Sequence, residues 1–266
     1  MWPTIISIGQ FHLSAFGVSL ALAFIVGAFN VWREARNRGL VDDKIFDNLV
    51  VVTIAGLIGA RLVFGLTHWS LFAPNWLRIF LPWKYAGLSM WGALIFSSLT
   101  LILYTLKQKL PLMVMFAAYS QGLIPVMFFV SLGTFLDGSA VGKETNWVTG
   151  LPAVGLTGKH HPVGLYGMGL TLLLWLGIEL GRKLSAKVNW SRGVWSWVTV
   201  SGLGVVQLLL AFVRADLLYL GGISLDYILA TILLVGPWGP IYVLIGGATT
   251  VKQTGVNLIS KFKKPT

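Results

Sequence analysis

The chain has 266 residues, 56% of them hydrophobic and only 11% charged, well short of the roughly 25% charged residues of a soluble globular domain. That balance excludes a water-soluble fold. The absence of cysteine excludes a disulfide framework, a thiolate metal site and a cysteine nucleophile. The formal charge of +11 is accounted for by basic cytoplasmic loops of a membrane protein, and no nucleic acid partner is expected.

Apolar runs of the roughly 20 residues needed to cross a bilayer occupy 14–32, 48–66, 87–106, 112–132, 163–181, 194–213 and 224–246. The expected fold is therefore all-α, a polytopic integral membrane protein with seven transmembrane helices. The opening MWPTIISIGQFH has no basic residue ahead of the first run, so that run is expected to remain as a span and not to be cleaved as a signal peptide. Connections are short except at 67–86 and 133–162. With no internal repeat or low-complexity tract, residues 1–266 read as one integral membrane domain. The last run contains GPWGP at 236–240, whose two prolines should kink or break the helix.

Placing the N-terminus outside and the C-terminus inside puts fourteen of the 20 basic residues on cytoplasmic segments, all but Arg61, Arg78, Lys84, Lys143, Lys159 and Arg214. This is the orientation the positive-inside rule selects. The remaining six lie outside or near the outer ends of helices. Arg61 sits within the apolar IAGLIGARLVFGL, where an unpaired charge costs about 2.5–3.5 kcal/mol on insertion scales, so it calls for a carboxylate or an anionic ligand.

The outer stretch GTFLDGSAVGKETN, residues 133–146, combines glycine, hydroxyls and charge. It is not a nucleotide P-loop: Gly138 and Gly142 are separated by three residues where four are required, and Glu144 follows Lys143 where Ser or Thr should stand. Structural uses compete with functional ones at each candidate. Arg214 in FVRAD can snorkel to lipid headgroups, and Lys143 beside Glu144 can be a solvated pair. The histidines of HHP, 160–162, point to opposite sides of an extended segment, which disfavours a metal site. His12 and His68 have no evident partner and read as interfacial. Glu179 pairs at helical spacing with Arg182 or Lys183, and most of the 12 tryptophans fall near span ends, as in an aromatic belt.

Taken in order, the segments resemble the prolipoprotein diacylglyceryl transferase family. ISIGQFHLSAFGVSLALAFIVG is similar to that family's opening ISIGP…WYG helix, GARLVFGL to its G-x-R-x-G-Y segment, and GLSMWGALI to its G-M-S-F-H-G-G-L-I. GTFLDGSAVGK falls on the signature G-N-F-x-N-G-E-x-x-G-R, HHPVGLYG on R-H-P-S-Q-L-Y-E, VVQLLLAFVR on R-F-x-x-E-F-x-R, and ISLDYILA on I-S-x-G-Q-x-L-S. The resemblance implies a bacterial cytoplasmic membrane enzyme that moves the diacylglyceryl group of phosphatidylglycerol onto the lipobox cysteine of a preprolipoprotein, with no cofactor or metal. It implies His161 and Arg214 as catalytic residues, and Arg61, Thr134, Asp137, Gly138, Gly142, Lys143 and Tyr166 around the lipid headgroup.

Several matched positions carry other side chains. Phe16 stands at the family's helix-one tyrosine and Trp91 at the histidine of H-G-G. Ser131, Thr134, Asp137 and Ser139 stand at the arginine, two asparagines and glutamate of the signature. Gly164 and Gly167 stand at the glutamine and glutamate of HPxQLYE, and Gln207 and Ala211 at an arginine and glutamate of the penultimate helix; Lys143 replaces an arginine. A second expectation therefore stands beside the transferase: a non-catalytic family member that binds anionic phospholipid, a lipoprotein or other membrane subunits. A transporter is a third reading, resting on Arg61 and the proline-broken last helix.

Overall fold

Seven apolar stretches leaving water must satisfy their backbone N–H and C=O groups within themselves, which a helix does. The computed structural model describes residues 4–8, 11–81, 85, 87–152, 156–184, 192–220 and 222–245. Lys84, Lys187, Lys252, Lys261, Lys263, Lys264 and the side chain of His12 lie outside the described residues. Among the described residues, seven helical segments are long and apolar enough to cross a membrane, and the chain is an all-α, multi-pass membrane protein.

The first span is α1 (Ala15–Arg36), which runs past the apolar stretch because Arg33 and Arg36 suit its last turn. Next come α2 (Asp42–Thr67), the single turn α3 (Trp69–Phe72) and a 3₁₀ turn at Trp76–Phe80, so much of the expected loop 67–86 is helical. Helix α4 (Met90–Lys107) is capped by the Ser89 side chain, which accepts from Gly92 N. Helix α5 (Leu112–Asp137) continues five residues beyond its apolar run. Then follow α6 (Val163–Leu184) and α7 (Arg192–Val213). The last span divides into α8 (Leu225–Val235) and α9 (Trp238–Leu244), with Pro237 at the start of α9, as the proline pair required. Three short antiparallel pairs lie outside the spans: β1 (Thr4–Ile8) with β2 (Phe11–Ser14), β3 (Leu151–Pro152) with β4 (Lys159–His160), and β5 (Tyr219–Leu220) with β6 (Ile223–Ser224).

The chain forms two compact units. One comprises the described residues of 21–126 and 218–225; the other comprises those of 4–20, 127–217 and 226–245. In the first, α2 packs on α4 with backbones touching: a methyl group on Gly92 would strike the Gly59 carbonyl oxygen, the small-residue contact by which helices associate where lipid offers no hydrophobic drive. Val31, Ile45, Leu49, Leu101 and Met115 form its apolar core. Beside them the fully buried Asn48 donates to Thr105 Oγ1 at 3.1 Å and accepts from Tyr119 OH at 3.0 Å.

In the second unit α6 packs on α7 and α7 on α9, around Val163, Val206 and Leu210. Three polar side chains there are tied to main chain or sulfur. Ser201 Oγ donates to Leu234 O at 2.8 Å, Tyr227 OH to Ala211 O at 3.2 Å, and Gln207 Nε2 to Met127 Sδ at 3.8 Å. This unit carries most of the motif positions.

Candidate functional site

The C-terminal end of α5 stops where the sequence places LDG. Gly138 takes φ of 74°, the left-handed conformation that only glycine adopts without strain, and its N–H returns to Thr134 O at 3.1 Å. Asp137 Oδ1 accepts from Ser139 N at 2.8 Å, and Thr134 Oγ1 donates to Ser131 O at 3.0 Å. Two of the expected headgroup ligands thus hold their own chain in place.

Beyond this turn, residues 141–145 run extended between two other segments. On one side Lys143 N donates to Val213 O at 2.8 Å and Ala215 N to Val141 O at 3.0 Å; on the other His161 N donates to Lys143 O at 3.1 Å and Thr145 N to Lys159 O at 2.8 Å. The loop after α5, the HHP segment and the end of α7 are therefore stitched together by main-chain bonds, although they are far apart in sequence. Gly142 is required at the centre of the ladder, because a Cβ there would strike His161 O and lie 2.7 Å from His161 Cβ.

The two adjacent histidines diverge. His160 places Nδ1 2.9 Å from Gly142 O and Nε2 3.1 Å from Thr157 O. Both partners are carbonyls, so the ring serves as a tie across the loop. His161 has Nδ1 3.2 Å from Tyr166 OH, and that hydroxyl is 2.6 Å from Thr149 Oγ1. The Trp147 ring stands edge-on to His161, with centroids 5.8 Å apart.

His161 lines an open cavity of about 580 Å³ together with Glu144, Thr145, Asn146 and Trp147. Thr134, Gly138 and Gly142 instead line, with His160–Gly164, a recess of about 10 Å³, at the lower limit for one water molecule. His161 borders both. Thr145, Asn146 and Trp147 in the wall, and Thr149 bonded to Tyr166, were not anticipated from the sequence; nothing in ETNWVT announces them until the turn brings the segment back toward His161.

The cations are engaged in ways that spacing did not reveal. Arg214, at the end of α7, is paired with Asp216 two residues on, Nε to Oδ1 at 3.2 Å and Nη2 to Oδ2 at 3.3 Å. The exposed Lys143 side chain forms no ion pair among the described residues. Arg61, in the other unit, was expected to meet a carboxylate or an anionic ligand; the partners the structure gives it are main-chain carbonyls. Its Nε donates to Ile79 O at 2.6 Å, Nη1 to Gly87 O at 2.9 Å and Nη2 to Arg78 O at 3.1 Å. The guanidinium carbon also lies 5.9 Å and 5.3 Å from the Phe64 and Phe72 ring centres. A planar five-donor cation suits such a carbonyl cluster better than any other side chain.

His68, expected to lack a partner, lies 3.2 Å from Phe64 O through Nδ1 and stacks on the Phe64 ring. Glu179 pairs with Arg182 at 3.7 Å, as its spacing required. The replaced motif positions are closely packed. Ser131 on α5 faces Gly164 and Gly167 on α6: a Cβ on Gly164 would fall 2.7 Å from Ser131 O, and one on Gly167 would fall 2.5 Å from Ser131 Oγ. Trp91 is buried in α4. No group of three metal-ligating side chains occurs among the described residues.

Comparison with known proteins places this geometry in context. A family model described as prolipoprotein diacylglyceryl transferase matches residues 3–242. A phosphatidylglycerol–prolipoprotein diacylglyceryl transferase of Clostridioides difficile is 26% identical over 227 residues, covering 83% of this chain and 86% of the relative. One from Synechocystis is 24% identical over 256 residues, covering 91% of this chain and 89% of the relative. One from Deinococcus radiodurans is 32% identical over 160 residues, covering 56% of this chain and 46% of the relative.

Proposed function

We infer the chemistry from one premise: this chain belongs to the prolipoprotein diacylglyceryl transferase family. The reading is a transferase of the bacterial cytoplasmic membrane that takes the diacylglyceryl group from phosphatidylglycerol and places it on the lipobox cysteine of a preprolipoprotein. The thiol sulfur attacks the diacylglyceryl carbon bonded to phosphate oxygen. The new C–S bond forms as the C–O bond breaks, the bonding pair leaves with glycerol phosphate, and the thiol proton passes to the base.

The observation that supports this reading is the main-chain ladder that ties the backbone of Lys143 to Val213, next to Arg214, and to His161, which lines the 580 Å³ cavity. Among the described residues only Nδ1 of His161 is hydrogen-bonded, so Nε2 receives the proton in the tautomer whose Nδ1–H donates to Tyr166 OH. Histidine suits the role because its ordinary pKa lies near neutrality. Lys143 and Arg214 supply positive charge for the phosphate as it gains a second negative charge on departure, the electrostatic term that usually dominates such reactions. Thr134, Asp137, Gly138, Gly142 and Tyr166 shape the ground on which the headgroup rests, and Arg61 holds the carbonyls of Arg78, Ile79 and Gly87.

A second reading, a non-catalytic member that binds anionic phospholipid, is favoured by the pairing of Arg214 with Asp216 and of Arg61 with three carbonyls. Arg214 is then neutralised by a carboxylate and Arg61 fixed by main chain, so neither is free to answer charge that develops in turnover, while the exposed Lys143 remains for an anionic headgroup. The purified protein in phosphatidylglycerol vesicles with a lipobox peptide distinguishes the two. Transfer appears as the diacylglyceryl mass increment on the peptide cysteine and is lost in His161→Ala. An unmodified peptide, with a related transferase active alongside and anionic lipid co-purifying, supports binding without turnover and ends the transferase reading.

A further inference from the structure

Between Thr145 and Gly150 the outer loop makes a tight turn: Gly150 N donates to Trp147 O at 2.9 Å and Trp147 N to Thr145 Oγ1 at 3.2 Å. Corners of such turns favour Asn, Asp, Gly, Ser and Pro, yet this one presents Trp147, 71% exposed, and Val148, 100% exposed. Apolar side chains held rigidly in water gain nothing from their position. At a lipid–water boundary they do, and tryptophan concentrates there.

The place of the turn fits that boundary. Its base, residues 141–145, is bonded to residues 213 and 215 at the end of α7 and to 159–161 just ahead of α6, and the chain enters it four residues after α5 ends. All three helices are able to cross a membrane, so the turn stands where they leave the bilayer. Lys143 and Lys159, both exposed and without ion pairs among the described residues, flank it on adjacent segments. Their charge complements anionic headgroups.

We propose that the Trp147–Val148 turn is a membrane-surface anchor that inserts into the headgroup region of an outer leaflet containing anionic phospholipid. The residues either side of Val148 are the ones that hold His161: Trp147 by its ring and Thr149 through Tyr166 OH. Insertion thereby sets the cavity wall against the lipid surface from which a phospholipid headgroup enters. The anchor does not depend on turnover, and its test is separate from that of the transferase reading.

The chain has no cysteine, so Val148→Cys provides a unique thiol at a side chain with no packing to lose. Thr157→Cys, exposed on the same loop, is the reference. Each variant is labelled with an environment-sensitive fluorophore and reconstituted in phosphatidylglycerol–phosphatidylcholine vesicles, with iodide on both sides of the bilayer. The label at 148 is expected to emit at shorter wavelength, to be quenched by lipid brominated near the glycerol end of its chains, and to be shielded several-fold from iodide relative to 157. Equal iodide quenching at both sites, without quenching by brominated lipid, overturns the proposal. Shielding that vanishes when labelled protein is diluted into excess lipid assigns the turn to a second copy. Shielding that appears only with lipobox peptide assigns it to the substrate; either result also overturns the proposal.

Discussion

Replacing Gly142 with alanine tests whether the main-chain ladder places His161 for chemistry. The new Cβ would strike His161 O and approach its carbonyl carbon to 2.9 Å and its Cβ to 2.7 Å, whereas non-bonded carbons settle at about 3.5–4.0 Å. The two segments must therefore part by about 1 Å, beyond what the His161–Lys143 and Thr145–Lys159 bonds, now 3.1 and 2.8 Å, tolerate as hydrogen bonds. Overpacking of this kind costs about 1–3 kcal/mol, and a displacement near 1 Å in a catalytic group lowers rate on the order of 100-fold. The assay is diacylglyceryl transfer to a lipobox peptide, followed by mass spectrometry, alongside thermal unfolding in detergent. Gly169→Ala on α6 is the control, since a Cβ there meets nothing within 4 Å. Near-normal transfer by Gly142→Ala, with Gly169→Ala equally active, would refute the idea that the ladder sets the position of His161.

The remaining predictions concern both units. Arg61→Lys cannot span three carbonyls from one ammonium, and hydrogen bonds to charged groups are worth about 1.5–3 kcal/mol each. A clear fall in unfolding temperature is expected, and an unchanged value would exclude a clamping role. Tyr166→Phe removes the hydroxyl shared by His161 and Thr149; kcat should fall on the order of tenfold or more with KM little altered, and an unchanged kcat would remove Tyr166 from the site. Asn48→Ala leaves the Tyr119 and Thr105 hydroxyls without their common partner, costing roughly 1–3 kcal/mol of stability. Transfer measured below the unfolding temperature should remain unaffected.

The membrane class, the seven spans and the broken last helix followed from the sequence by itself. Each depends on local quantities: the length of an apolar run and the missing N–H of Pro237. The glycines at 138 and 142 were also legible as places where the backbone does something unusual. Tertiary structure alone decided what the polar residues do. Arg61 was expected to meet an anion because sequence displays side chains, whereas its partners are carbonyls of residues 78, 79 and 87, which look alike at every position. Lys143, His161 and Arg214 share a surface only because residues 141–145 bond to segments on both sides, and Thr149 reaches Tyr166 only because a turn brings it back. Contacts between distant segments depend on the path of the whole chain, so side-chain chemistry and spacing could nominate these residues but could not assign their partners.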